Sequence, residues 1–218
     1  MTQTQPDGYL ALPPSGKGRP VLVLHAWWGL NDTIKGLCDR LAAAGFVAFA
    51  ADLYHGKIAK TIPEATALGG ALDARQAQAE ADVAEAARFV LDRAGQPDGA
   101  LAVIGFSLGA AYAVIHSVAD PDHVRQVVTF YGSMPMDFSA SKASYLGHFV
   151  ENDAYEPQEN TDAMEAALRE SARPVQFHVY AGTKHWFFEP DRVAEFNLEA
   201  AKLAWERTLA FLNSKPIV

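Results

Sequence analysis

Apolar and polar positions in this chain come in blocks that change period. Val21-Leu-Val-Leu-His25 and Phe46-Val-Ala-Phe-Ala50 are short apolar runs without internal charge, the pattern of strands buried on both faces. Between them Ile34, Leu37, Cys38 and Leu41 recur at helical spacing, which predicts a helix over about 32–44 with Gly45 as its stop. The alanine-rich, charged stretch 73–93 predicts a long surface helix that buries Val83, Phe89 and Val90, closed by Gly95-Gln-Pro-Asp-Gly99. Residues 101–106 read as another buried strand, followed by a helix that ends near Asp120 and Pro121.

The second half keeps the rhythm. Strands are predicted at 127–131, 145–150 and 175–180, with a helix over about 161–169 between the last two. A final helix over about 193–212 directs Phe196, Leu203 and Leu209 toward a core, and the tail 213–218 is expected to fray. Strands alternating with helices predict an α/β fold, a mostly parallel central sheet with helices on both faces. The even spread of apolar residues over 218 positions favours one domain, 1–218.

The chemistry concentrates at Ser107. It lies in Gly105-Phe106-Ser107-Leu108-Gly109, after one predicted strand and before the apolar helical run Ala110-Ala-Tyr-Ala-Val-Ile115. That strand–turn–helix setting is what a G-x-S-x-G nucleophile elbow requires. The turn raises the serine hydroxyl above the sheet and leaves the Leu108 N–H, at the helix N-terminus, free to hold an oxyanion. Glycine at both flanks removes the Cβ atoms that would block so tight a turn. Read without chemistry, the same five residues are a small-residue turn between a strand and its crossover helix.

Composition narrows the class. Eighteen basic against 26 acidic side chains give a formal charge of -8, which argues against nucleic acid or an anionic membrane as the main partner. Half the residues are hydrophobic, enough for a sizeable core. No secretory signal or uncharged transmembrane-length segment is visible, and the single cysteine, Cys38, falls on the core face of its helix. The expected compartment is the cytoplasm. No metal-ligand spacing and no phosphate-binding glycine loop is present, so no cofactor is expected.

In a parallel sheet, ligands bind beyond the carboxyl ends of the strands. His185 follows the strand 175–180, and Asp153 follows 145–150. A serine hydroxyl needs a positioned base, and the base needs an acid to fix its tautomer. The chain order Ser, Asp, His is that of α/β-hydrolases. Of the seven histidines, His55, His116, His123, His148 and His178 sit in other loops, helices or strands, and His25 reads as lining or bracing the first loop. Glu151, Asp137 and Asp191 compete with Asp153 for the acid, Asp137 because it follows the preceding strand.

From Asp7-Gly-Tyr-Leu-Ala-Leu-Pro13 nearly to Phe211 the chain resembles the dienelactone hydrolase family. The most specific stretches are Trp27-Trp-Gly-Leu-Asn-Asp32, Arg40-Leu-Ala-Ala-Ala-Gly-Phe-Val-Ala48 and Asp52-Leu-Tyr54. Asp153-Ala-Tyr-Glu-Pro157 and His185-Trp-Phe187 match the family's acid and histidine segments. The resemblance implies an α/β-hydrolase fold, Asp153 and His185 as Ser107's partners, and a second oxyanion N–H on Trp27. It also carries departures. The family's namesake enzymes use a cysteine nucleophile, where this chain has Ser107. They place a glutamate where Ala26 stands and a substrate-binding arginine where Glu189 stands, and Arg75 is a weak counterpart for another. Loss of that clamp, with Glu189 in its place, predicts poor acceptance of anionic substrates.

Aromatic residues surround the proposed site. Trp27, Trp28, Phe106 and Trp186 flank its loops and Tyr54 and Tyr131 end neighbouring strands, so Trp28, Phe106, Trp186, Tyr54 and Tyr131 are candidate pocket residues. Phe106 and Trp28 are equally consistent with core. No long insertion predicts a lid. The expected activity is serine hydrolysis of a small neutral ester, thioester or lactone by a monomer or small homo-oligomer. The competing reading is a catalytically weak hydrolase fold that binds a ligand or serves as an interaction scaffold.

Overall fold

The computed structural model describes residues 4–96 and 99–214. The expected turn residues 97–98 and the end of the expected frayed tail, 215–218, lie outside the described residues. Among the described residues seven strands form one sheet: β1 (Gly8–Ala11), β2 (Pro20–Leu24), β3 (Val47–Ala51), β4 (Leu101–Phe106), β5 (Val124–Phe130), β6 (Ser144–Val150) and β7 (Val175–Tyr180). Their spatial order is β1-β3-β2-β4-β5-β6-β7. Only β1 runs antiparallel, pairing Gly8 with Ala51 through Ala11 with Ala48. The rest is parallel, as expected.

Every residue of β2, β3, β4 and β6 is buried, which is why β2, β3 and β4 read as unbroken apolar runs rather than alternating ones, while β6 also buries Ser144 and His148. Six helices of the described residues cover the sheet: α1 (Asp32–Ala43), α2 (Ile62–Asp73), α3 (Gln76–Arg93), α4 (Leu108–Ala119), α5 (Gln158–Glu170) and α6 (Leu198–Asn213). One face packs Val21, Val23 and Ile104 against Ile34, Leu37 and Leu41 of α1 and Ala201, Ala204 and Leu212 of α6. The other packs Leu22, Leu24 and Val103 against Val83 and Val90 of α3, Ala113 of α4 and Leu168 of α5. Each such Val, Leu or Ile contributes roughly 1.5–3 kcal/mol by leaving water. Cys38 belongs to the first layer, and burial pushes its thiol up to about 12, so it is core rather than a nucleophile. No helix among the described residues is long and apolar enough to cross a membrane.

Four features depart from the expected pattern. β1 is an added edge strand, too short to show periodicity. The helix expected over 73–93 is preceded by a separate one, α2, which begins with a Thr61–Glu64 capping box and Pro63. The last helix starts at Leu198, not 193, because the Asn197 side chain accepts from the Ala200 N–H as N-cap. The Asn197 N–H is also committed to the Phe187 carbonyl at 3.0 Å, tying the helix start to the loop after β7. Leu203, expected in the core, is 41% exposed, whereas Phe196 and Leu209 pack against the core as expected.

Candidate active site

β4 is the central strand, and Ser107 follows it directly. Ser107 adopts φ 49 and ψ -115, a left-handed conformation unfavourable for a residue with a Cβ. The turn holds because its neighbours fix it. The Ser107 N–H donates to the Phe130 carbonyl at 2.9 Å, and its own carbonyl accepts from the Ala110 N–H. A Cβ at Gly105 would meet the Gly109 carbonyl oxygen at 2.3 Å, and one at Gly109 would meet the Leu24 carbonyl oxygen at 2.4 Å. The two glycines let α4 start hard against β4 and β2. At this start, the Leu108 N–H has no protein acceptor among the described residues.

The loops after β2, β5, β6 and β7 leave the same edge of the sheet. His185 Nε2 lies 3.0 Å from Ser107 Oγ. Its Nδ1 lies 2.8 Å from both carboxylate oxygens of Asp153. A carboxylate only accepts, so Nδ1 carries the proton and Nε2 is left to accept from the serine hydroxyl. Both side chains are withdrawn from water, at 3% and 5% exposure, which strengthens their attraction. Asp153 Oδ1 further accepts from the Tyr155 N–H at 2.8 Å and the Glu156 N–H at 3.1 Å, fixing the carboxylate's plane.

The competing acids point elsewhere. Asp137 accepts from the Ser139 N–H in an exposed loop, Asp191 accepts from Thr33 Oγ1 and Asn31, and Glu151 is exposed. Four of the other histidines are engaged elsewhere, while His116 on α4 and His178 on β7 do not line the cavity. His148 sits in the core between Tyr180 and Thr208, His123 bonds Asp120, and His55 bonds Asp7. His25 braces the first loop: its Nε2 accepts from the Leu53 N–H and its Nδ1 donates to the Ala26 carbonyl. That loop carries Trp27, whose N–H also has no protein acceptor among the described residues. The Trp27 indole lies over α2 at Gly69, where a Cβ would approach Nε1 to 2.4 Å. The missing side chain there is what lets the ring lie down.

A cavity of about 240 Å³ opens above Ser107, lined by Trp27, Leu108, Ser133, Tyr155, Glu156 and Trp186 among others. Its size suits a small molecule. A groove of about 470 Å³ beside Arg40, Phe188 and Asp191 is larger, but no serine or histidine lines it. Of the expected pocket residues only Trp186 lines the cavity. Trp28 and Phe106 are buried behind it, Trp28 against the edge of Trp186 at 5.0 Å and Phe106 stacked on Phe130 at 4.6 Å. Tyr54 is buried against His25 at 4.8 Å. Tyr131 is fully buried, and its ring packs on His185 at 4.8 Å, so it backs the imidazole from the core side.

Sequence reasoning passed over Ser133 and treated Glu156 only as part of the acid segment. Ser133 donates to Glu156 from its N–H at 3.1 Å and from its hydroxyl at 2.7 Å. Burial pushes the Glu156 carboxyl up, against those two bonds. The signal available was position, since both residues follow strands whose ends face Ser107.

Glu189 does not face the cavity, which corrects its expected role. It is fully buried, with Tyr131 donating to its Oε1 at 2.5 Å. Arg75 is not on the cavity wall either; it donates to the Leu53 carbonyl and lies 2.9 Å from His55. Burial raises the Glu189 carboxyl from 4.5 to about 8, with the Tyr131 bond opposing the shift. The folded protein therefore binds a proton there that the unfolded chain releases above about 4.5. This contribution to stability is fully present below that pH and is lost as pH rises toward about 8, at up to about 1.4 kcal/mol per unit. Urea unfolding of the native chain and Glu189→Gln between pH 5 and 8 is expected to show the native chain losing stability relative to the variant. A difference that stays flat with pH would refute the buried neutral carboxyl.

Comparison with known proteins follows the same lines. The model of the Dienelactone hydrolase family matches residues 7–215. A protein named "Protein usf" from Aquifex pyrophilus is 30% identical over 214 residues, covering 94% of this chain and 92% of its own. A "Putative carboxymethylenebutenolidase" from Aquifex aeolicus is 28% identical, covering 95% and 92%. The crystal structure of a putative dienelactone hydrolase from Klebsiella pneumoniae superposes with a TM-score of 0.82 at 26% identity, covering 95% of this chain and 92% of that one. A family match over nearly the whole chain, on an α/β-hydrolase sheet, places this protein in the dienelactone hydrolase family.

Proposed function

We propose that this chain, as one α/β-hydrolase domain over 1–218, is a serine hydrolase cleaving a small ester, thioester or lactone that carries no carboxylate. The observation that carries the reading is the unbroken relay from Ser107 Oγ to His185 Nε2 and from His185 Nδ1 to Asp153, at 3.0 and 2.8 Å, on the wall of a small cavity. As Oγ attacks the carbonyl carbon, its proton passes to Nε2, and the imidazolium is stabilised by Asp153. The oxyanion forms between the N–H groups of Leu108 and Trp27. Collapse expels the alcohol or thiol, which takes the proton from Nε2, and leaves an acyl-serine. Water then adds through the same base, the acid departs, and Ser107 regains its proton. No cofactor enters the scheme.

Absence of any Lys or Arg from the cavity lining, with Glu156 on its wall, supports exclusion of carboxylate substrates. Cytoplasmic residence is part of the proposal, supported by the lone buried thiol of Cys38. So is action on a small-molecule partner by a monomer or small homo-oligomer. A fluorophosphonate probe is expected to label Ser107 stoichiometrically, one adduct per chain by mass spectrometry. An unlabelled, folded chain would favour the scaffold reading instead.

A further inference from the structure

Glu156 is a half-buried carboxylate on the wall of the nucleophile's cavity, and its protein partners are neutral. Ser133 supplies an N–H and a hydroxyl, one to each oxygen, and holds the group in a single orientation. Among the described residues no Lys, Arg or His forms an ion pair with it. A carboxylate kept partly from water without a counter-ion is costly; the two Ser133 bonds offset part of that cost, and a docked cation would offset more. The aromatic part of the cavity wall favours the same visitor. Its walls carry the rings of Trp27, Tyr155 and Trp186, with Tyr155 centred 4.6 Å from Trp186 and 6.2 Å from Trp27. Aromatic rings beside a carboxylate are a combination that recognises alkylammonium groups. No Lys or Arg lines the cavity to repel one, its basic side chain His185 being paired with Asp153, and the protein's net charge is -8.

We propose that Glu156, anchored by Ser133 and flanked by Trp27, Tyr155 and Trp186, is a cation subsite that selects esters carrying an alkylammonium group on the acyl or alcohol arm. The inference rests on the serine-hydrolase reading above and narrows its substrate class. The cation docks before chemistry and stays through it, so it acts on kcat/KM while bond making and breaking remain those of the ester.

Two pairs of esters test it, one for each arm. Trimethylammonioethyl butanoate is compared with its carbon isostere dimethylbutyl butanoate. Nitrophenyl trimethylammoniobutanoate is compared with nitrophenyl dimethylhexanoate. Each kcat/KM is normalised to that ester's alkaline hydrolysis rate. The cationic member is expected to be favoured by about tenfold or more on at least one arm, the scale of a single charge-assisted contact. Glu156→Gln is expected to bring that ratio down to within about threefold, the residue left by the aromatic walls. Ratios near one on both arms, with Ser107 still labelled by fluorophosphonate, would overturn the subsite and leave the serine hydrolase standing. A preference that persists in Glu156→Gln would overturn the assignment to Glu156. Should that variant fail to fold, the native chain decides: butyltrimethylammonium is expected to slow fluorophosphonate labelling at lower concentration than butanol, and equal protection overturns the proposal. Absence of labelling altogether would remove the serine reading and this one with it.

Discussion

Ser107→Ala is expected to lower ester turnover by about six orders of magnitude while leaving the fold intact. The loss is large because attack, proton transfer and acyl-enzyme formation all pass through one oxygen, 3.0 Å from its base. Stability should change by less than about 1 kcal/mol, because alanine at φ 49 keeps both the strain and the flanking glycine contacts. What disappears is one hydroxyl and one hydrogen bond. The check is steady-state turnover of a neutral aryl ester beside a urea unfolding curve. Turnover near the native level in a folded Ser107→Ala protein would remove the relay from the mechanism.

Asp153→Asn is expected to cut kcat by about four orders of magnitude, with KM changed far less. The amide nearly matches the carboxylate in shape, so the Tyr155 and Glu156 N–H contacts keep an acceptor. The amide's NH2, however, can face His185 only as a donor. That turns the ring to the tautomer whose Nε2 bears a proton, which cannot accept one from Ser107. It also withdraws the charge that stabilises the imidazolium. Asp137→Asn is the matched control and should leave kcat within about twofold, since its carboxylate bonds only Ser139 in an exposed loop. The opposite pattern, with Asp137 critical and Asp153 silent, would overturn the assignment of the acid. Both effects concern bond-making steps, whereas the Glu156 ratio concerns which substrate arrives, so the three variants separate chemistry from selection.

The parts of the site that repeat a local pattern were legible from residues alone. The elbow around Ser107 was visible because a buried strand, a glycine-flanked turn and an apolar helix must occur together in sequence for that backbone to exist. Asp153 and His185 could be placed because they follow strands, and strand ends in a parallel sheet share one edge. The helix at Ile34, Leu37, Cys38 and Leu41 followed from its period. Segments with weak periodicity went unread. β1 is four residues long, and α2 holds two adjacent glycines that hide a helix whose start is marked by the Thr61–Glu64 box and Pro63. The start of α6 turned on Asn197, whose capping role overrides the apolar spacing around Val193 and Phe196.

Local sequence set the alternation of strands and helices, the place of Ser107 at its strand–helix turn and the loops that hold Asp153 and His185. These are properties of neighbouring residues, set by backbone sterics and by the period of apolar positions. Which side of a loop each charge occupies was decided only by tertiary structure. Glu189 and Glu156 both lie within four residues of a proposed catalytic side chain, and nothing local separates them. Packing put Glu189 behind the base, against Tyr131 and out of water, and turned Glu156 into the cavity onto Ser133. The same division fell on the aromatics. Trp28, Phe106, Tyr54 and Tyr131 went to the core, whereas Trp27, Tyr155 and Trp186 became the cavity wall. A side chain's partner across the fold lies tens of residues away in the chain, and its burial depends on how the helices close over the sheet. No local pattern carries that information.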